Sequence, residues 1–332
     1  CTPSTVLDFS AVGYFFGREL RAHRKVPIGL ISADWGGTTC EAWTSERALA
    51  AEPKLRRYAD ALAAARLRTP EWAEEEDRRQ SAAWRQEVMR AIEAGRPLPK
   101  PPAAPDPFRA DHATPSALFN AMIHPLLPFP IAGTIWYQGE SNVGRACEYR
   151  LLLAAMFRDW RARWGREFPF LIVQLAPFRG SSGPSGTEWA ELRAAQAYVA
   201  ASLPKTALVV ATDAGDENDI HPQDKEPIGR RLALAARAIA YGEEIEYRGP
   251  TARSATVVGR AAVVAFDHAD GLRSVGGPVH GFELCGRDGA FRKAKAEIRN
   301  GSVVATCEGI DEPTGIRFGW ANCPKPALNL YN

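Results

Sequence analysis

The sequence predicts an α/β fold with a smaller β-rich unit at its carboxyl end. Three patterns carry the prediction. Short, nearly all-apolar runs of strand length alternate with amphipathic helical stretches, as in a parallel sheet covered on both faces. A charged and then proline-rich stretch, residues 55–112, interrupts that alternation. After Gly242 the pattern changes to short alternating runs between Gly and Asp turns, which reads as all-β.

Taken in order, the first element is an amphipathic helix with Val12, Phe15, Phe16 and Leu20 on one face. Val26–Ile31 follows as a strand candidate. Ile131–Tyr137, Phe168–Leu175 and Ala207–Thr212 are the others of the sheet. Between them, Leu152, Met156, Trp160 and Trp164 recur every four residues, with Gly165 placed as a C-cap. Trp189, Leu192, Gln196 and Val199 form a second helical face, and Leu232, Ala235, Ala236 and Ile239 a third. From Pro53 to Gly95 the chain is rich in Ala, Glu and Arg and reads as two charged helices. Pro97, Pro99, Pro101, Pro102, Pro105 and Pro107 then favour an extended return. In the last part, Ala255–Val258, Ala262–Phe266, Glu297–Arg299 and Ser302–Ala305 are the strand candidates. The expected organisation is a core of residues 1–54 and 113–242, a helical insertion of residues 55–112, and a β-rich unit of residues 243–332.

Composition excludes several classes. Of 332 residues, 45% are hydrophobic and 24% charged, the balance of an ordinary globular chain. A net charge of +2 gives no electrostatic case for nucleic acid. No apolar run reaches the roughly 18–20 residues a membrane span needs. The six cysteines are scattered without a CxxC pair, so no structural metal is expected. They read as small thiols, with one pairing among Cys285, Cys307 and Cys323 open in an oxidising compartment. The chain starts at Cys1 without Met, and both ends read as cut, so its start carries no information on localisation.

Three loops, each following a strand candidate, collect the polar residues. Asp34-Trp35-Gly36-Gly37-Thr38 has paired glycines that let backbone N–H groups point outward, where they can stabilise an oxyanion. Trp136-Tyr137-Gln138-Gly139-Glu140-Ser141-Asn142 packs two amides and a carboxylate into one loop; Gln138 and Asn142 are oxyanion donors by chemistry, and Glu140 can orient a base. Gly215-Asp216-Glu217-Asn218-Asp219-Ile220-His221 places a histidine beside acids at the end of a strand, where an α/β enzyme keeps its general base. Asp219 is the first choice for orienting His221, with Glu140 second. The spacing of Asp213, Asp216, Asp219 and Asp224 does not match a calcium loop. Trp35, Trp43 and Trp136 stand near these loops, with stacking on a sugar and core packing both open.

In order along the chain, the phrases Val26–Ser45, Leu118–Leu127, Ile135–Asn142 (IWYQGESN), Asp219–Lys225 (DIHPQDK) and Arg317–Asn322 (RFGWAN) resemble the sialate O-acetylesterase family of SGNH-type carbohydrate esterases. The resemblance covers nearly the whole chain. It implies a three-layer α/β/α hydrolase core, serine-dependent removal of O-acetyl groups from sugars, no cofactor, and a secreted or periplasmic setting. It also implies an O-acetylated carbohydrate as the partner. One departure stands out. The family's nucleophile lies in a Gly-Gln-Ser-Asn phrase on the first strand, and this chain has no such phrase; Ser32 and Ser141 are poor substitutes. In a flavodoxin-like order 2-1-3-4-5 the absent strand is an interior one, so the expectation is a missing N-terminal segment of the same protein. The alternative is a carbohydrate-binding protein without catalysis. Phosphoester hydrolysis is disfavoured because no basic cluster stands near His221.

Overall fold

The computed structural model describes residues 2, 4–106, 111–180 and 185–332; Cys1 and Pro107 lie outside the described residues. Its α-helices are α1 (Ala11–Arg24), α2 (Glu46–Ala51), α3 (Arg56–Arg66), α4 (Pro70–Glu93), α5 (Ala146–Trp164), α6 (Glu188–Ser202) and α7 (Glu226–Ile239). Contacts divide the chain into two compact units, residues 41–125 and residues 1–40 with 126–332.

In the larger unit, β1 (Thr134–Trp136), β2 (Phe170–Val173) and β3 (Thr206–Val209) form a parallel sheet in that order. Thr134 sits beside Phe170, and Phe170 beside Thr206. All four side chains of β2 are buried, which an all-apolar strand requires. Alternation sends them to opposite faces. Leu171 and Val173, with Ala207 and Val209 of β3, join a core with Val12 and Leu20 of α1 and Ile228, Leu232 and Ala235 of α7. Phe170 points the other way and stacks on Phe157 of α5 at 3.7 Å and 9°. Helices therefore cover both faces, giving three layers. Each large apolar side chain so buried contributes about 1.5–3 kcal/mol.

Local signals set the helix ends. The Ser10 hydroxyl accepts from the Gly13 N–H at 3.1 Å and caps α1. Gly165 ends α5 in the left-handed region. The α1–α7 packing depends on Gly229: a Cβ there would lie 2.4 Å from Cβ of Phe15 and 2.8 Å from the backbone N of Phe16.

Val26–Ile31, expected as a strand, runs extended but belongs to no ladder among the described residues. Val26 is 49% and Ile31 51% exposed, while Ile28 packs on the same core as Ile135 of β1. The reason is that β-structure needs a neighbour, and β1 pairs only with β2 among the described residues.

The β-rich part of this unit contains β4 (Thr251–Val258), β5 (Ala261–Asp267), β6 (Arg273–Ser274), β7 (Phe282–Cys285), β8 (Arg292–Lys293), β9 (Lys295–Arg299), β10 (Ser302–Thr306), β11 (Gly315–Phe318) and β12 (Leu330–Tyr331). One antiparallel sheet runs β4-β5-β10-β9, a second β11-β7-β8, and β12 pairs with β6. Val264, Leu284, Val303 and Ala305 are in its core. Tyr331 Oη donates to Asp213 at 3.0 Å, joining the last strand to the loop after β3.

The smaller unit holds α2, α3 and α4. Arg66 forks onto Glu46 at 2.8 and 2.5 Å. The proline-rich return is tied to α4 by Trp84, whose Nε1 donates to the Pro99 carbonyl at 3.0 Å. Ser116 N–H donates to the Glu41 carbonyl at 2.9 Å, and its hydroxyl to that of Thr44 at 2.8 Å, so the two ends of the unit meet. His124 packs edge-on against Phe119. No helix among the described residues is long and apolar enough to cross a membrane. Cys147, Cys285, Cys307 and Cys323 are free thiols.

Candidate active site

The Gly36-Gly37 turn is exposed, with Gly37 at φ +73°, and Thr38 Oγ1 closes it by donating to the Trp35 carbonyl at 2.8 Å. The loop after β1 holds this turn from below. Gln138 Nε2 donates to the Thr38 carbonyl at 3.1 Å and to Asn142 Oδ1 at 2.7 Å. The same Asn142 oxygen accepts from the Cys40 N–H at 2.9 Å. Both amide hydrogens of Gln138 are thus engaged. Its side-chain oxygen accepts from Tyr149 Oη at 3.1 Å, and its main-chain carbonyl from Tyr149 Oη and Gln196 Nε2, each at 3.1 Å. Gln138 is 9% and Asn142 0% exposed, and a buried amide is tolerated there because it is fully bonded. Gly139 allows the loop to turn: its φ is +154°, and a Cβ would sit 2.7 Å from Cδ2 of Leu192.

Glu140 is half-buried next to that network. Burial raises its carboxyl above the usual range, opposed by the backbone N–H groups of Glu140 and Gly139 and by the charges of His221 and Lys225. Lys225 shows the opposite shift: burial lowers it, and Glu140 and Asp219 oppose that. Its ammonium lies 5.6 Å from the Tyr137 ring centroid. Glu140, Lys225 and His221 therefore share one electrostatic neighbourhood.

In the loop after β3, Asp219 Oδ1 accepts from the backbone N–H of His221 at 2.8 Å, which fixes the turn that presents the exposed histidine. Asp216 does the same for Asn218 at 2.8 Å. Asp213 is forked by Arg231 at 2.7 and 2.6 Å. Glu217 takes Arg179 at 2.6 Å and Lys325 at 2.8 Å, and these bonds lower its carboxyl. No group of His, Cys, Asp and Glu among the described residues is arranged to hold a metal ion.

The structure thus brings together Gly36, Gly37, Gln138, Asn142, Glu140, Asp219 and His221 at the carboxyl ends of the sheet. The two tryptophans part company. Trp35 is 53% exposed beside the glycine turn, whereas Trp136 is 7% exposed and packs edge-on against Trp160 at 5.9 Å. Sequence reasoning missed Tyr149 and Gln196 as supports. Gln196 had a signal, an amide on an otherwise apolar helical face; Tyr149 had none.

A parallel sheet clad on both faces carries a glycine turn, an amide-rich loop and a histidine loop at its carboxyl edge, a three-layer α/β core with its polar residues gathered at one end. A solved carbohydrate acetylesterase from Xanthomonas citri has the same fold, with TM-score 0.78 and 36% identity over 100% of this chain and 64% of that one. Residues 114–238 match the family model of carbohydrate esterases described as sialic acid-specific acetylesterase. The sialate O-acetylesterase of Rattus norvegicus is 29% identical over 95% of this chain and 59% of its own length. The Homo sapiens protein of that name is 29% identical, with 95% and 56% covered. The chain is similar to the sialate O-acetylesterase family of carbohydrate esterases. It spans less than two thirds of the length of these relatives.

Proposed function

We propose that this chain forms most of a carbohydrate O-acetylesterase working by serine-dependent hydrolysis. The observation that carries the reading is the convergence of three loops: the glycine turn is bonded to the amide loop through Gln138 and Asn142, and the amide loop is coupled through Glu140 to His221. The nucleophile is assigned to a strand from a segment preceding residue 1, which adds to the open edge of β1 beside Val26–Ile31. The half-exposed Val26 and Ile31 support that placement, because such a strand would cover them.

In this reading the serine Oγ bonds to the acetyl carbon as its proton passes to His221. The oxyanion is met by the backbone N–H groups of Gly36 and Gly37. Gln138 and Asn142, whose bonds already hold residues 38–40, keep that turn in place. The tetrahedral intermediate collapses, the C–O bond to the sugar breaks, and the leaving sugar oxygen takes the proton from His221. Water then repeats the sequence on the acetyl-serine, releasing acetate. Asp219 orients His221, with Glu140 second in that role. Trp35 offers a face for an O-acetylated sugar ring. Secretion or a periplasmic location accompanies this proposal, on the family's behaviour alone.

Fluorophosphonate labelling of the protein as its source makes it, with mapping of the modified peptide, is the test. An adduct on a serine preceding residue 1 supports the proposal. An adduct on Ser32 or Ser141 overturns the placement of the nucleophile. No adduct and no hydrolysis of acetylated sugars overturns the enzyme reading in favour of a binding protein.

A further inference from the structure

The phrase Gly319-Trp320-Ala321-Asn322 lies in the β-rich part of the chain, far in sequence from every residue assigned a chemical role above. Its contacts lead back to the histidine loop. Arg193 of α6 is buried at 4% exposure and has no carboxylate partner among the described residues. Its guanidinium instead donates to the carbonyls of Gly319 at 3.2 Å, Asn322 at 3.3 Å and Ala321. Burial without a counter-ion lowers its pKa to about 10. A guanidinium is kept in such a place only if its donors are met, so the loop and α6 are fixed to each other.

Asn322, 5% exposed, extends the link in three directions. Its Oδ1 accepts from the Trp189 N–H at 2.9 Å, in the first turn of α6. Its Nδ2 donates to Glu188 at 3.3 Å. Its carbonyl accepts from the Phe178 N–H at 3.3 Å. The next residue, Arg179, bonds twice to Glu217: N–H to the carbonyl at 2.9 Å, and guanidinium to the carboxylate at 2.6 Å. Lys325, three residues past Asn322, reaches that carboxylate at 2.8 Å. Gly215 lies flat on Pro177, where a Cβ would be 2.7 Å from the Pro177 backbone N and O. The start of the histidine loop therefore rests on residues 177–179, and residues 319–325 brace both.

We propose that Asn322 and Arg193 are positioning residues for His221: the loop Gly319–Lys325 is a splint that sets residues 177–179 and, through Glu217, the loop bearing the base. The inference rests on the esterase reading for what His221 does, but the splint itself is testable apart from it. Because the imidazole must sit within hydrogen-bond reach of the nucleophile, small displacements are costly; a misplacement near 1 Å can cost about 100-fold in rate.

The decisive variant is Asn322→Ala, which changes no charge and touches no residue of the histidine loop. Histidine-selective carbon NMR, with the His221 signal assigned from His221→Gln, is recorded alongside thermal melting and acetylesterase kinetics. The expected result is a displaced, broadened His221 signal, the other histidine signals unmoved, and kcat lowered roughly 10- to 100-fold with KM within about twofold. Arg260→Ala, which breaks an exposed pair with Asp311 at 2.5 Å elsewhere in the β-rich part, should move none of these. If Asn322→Ala does not fold, Lys325→Met gives the same reading at the far end of the splint. A folded Asn322→Ala or Lys325→Met protein whose His221 signal and kcat match the parent overturns the proposal. A displaced His221 signal in a protein whose parent hydrolyses no acetyl ester sustains the splint and overturns the esterase reading instead.

Discussion

His221 is held by its main chain. Asp219 grips the backbone N–H, Asp216 shapes the turn before it, and Glu217 anchors the loop through Arg179 and Lys325. The imidazole itself is exposed. His221→Ala should therefore lower hydrolysis by about 10²–10⁴-fold, the usual worth of a general base, with Tm unchanged; retained activity rules the assignment out. Glu140 makes a different prediction. Its carboxyl is raised, so between the ordinary carboxylate range and its own higher value the folded protein holds more protons than the unfolded one. Its contribution to stability is then full below the ordinary range and falls as pH rises through the raised value. Glu140→Gln mimics the protonated form, and melting curves should show a higher Tm than the parent at pH 7. The difference should close below about pH 4, where the parent's carboxyl is protonated in both states. A lower Tm at pH 7 would mean that the charge on Glu140 is net favourable, through Lys225 and the Gly139 N–H.

At the scale of elements, packing and propensity disagree at one informative place. Replacing a glycine inside a helix by alanine gains up to about 1 kcal/mol in propensity. Gly229 lies inside α7, but its missing side chain is what lets α1 approach, so Gly229→Ala should destabilise by about 1–3 kcal/mol in denaturant titration. Gain of stability would show that α1 can move away freely. Trp84→Phe removes a bond tying the return at Pro99 to α4, at a cost of about 1 kcal/mol, and should speed protease cleavage between residues 95 and 106. The helices were legible in the sequence because their signals are local: the four-residue recurrence of α5 and the glycine that ends it sit in one window. Val26–Ile31 misled because its composition suits a strand, while membership of a sheet depends on a partner. In the site, the polar residues of the loops were readable, but their use was not. That both Gln138 hydrogens are engaged depends on Thr38 and Asn142, and residue 38 is remote in sequence. The splint around Asn322 was equally hidden, since a run such as Gly-Trp-Ala-Asn has no periodicity to read.

For the whole molecule, one arrangement reaches beyond catalysis. The main chain leaves at Glu41 and is clasped again at Ser116 by a 2.9 Å bond, with the serine hydroxyl adding a second clasp on Thr44. Everything between those points behaves as a graft whose two cut ends already touch. Closing such a gap with a few residues costs little entropy, since the cost of a loop grows only slowly with its length. Replacing residues 46–113 by a short glycine-serine turn should therefore leave the parallel sheet and the β-rich part folded, with circular dichroism losing helix and retaining a cooperative melt. An engineer can use the same seam to insert a domain of another kind.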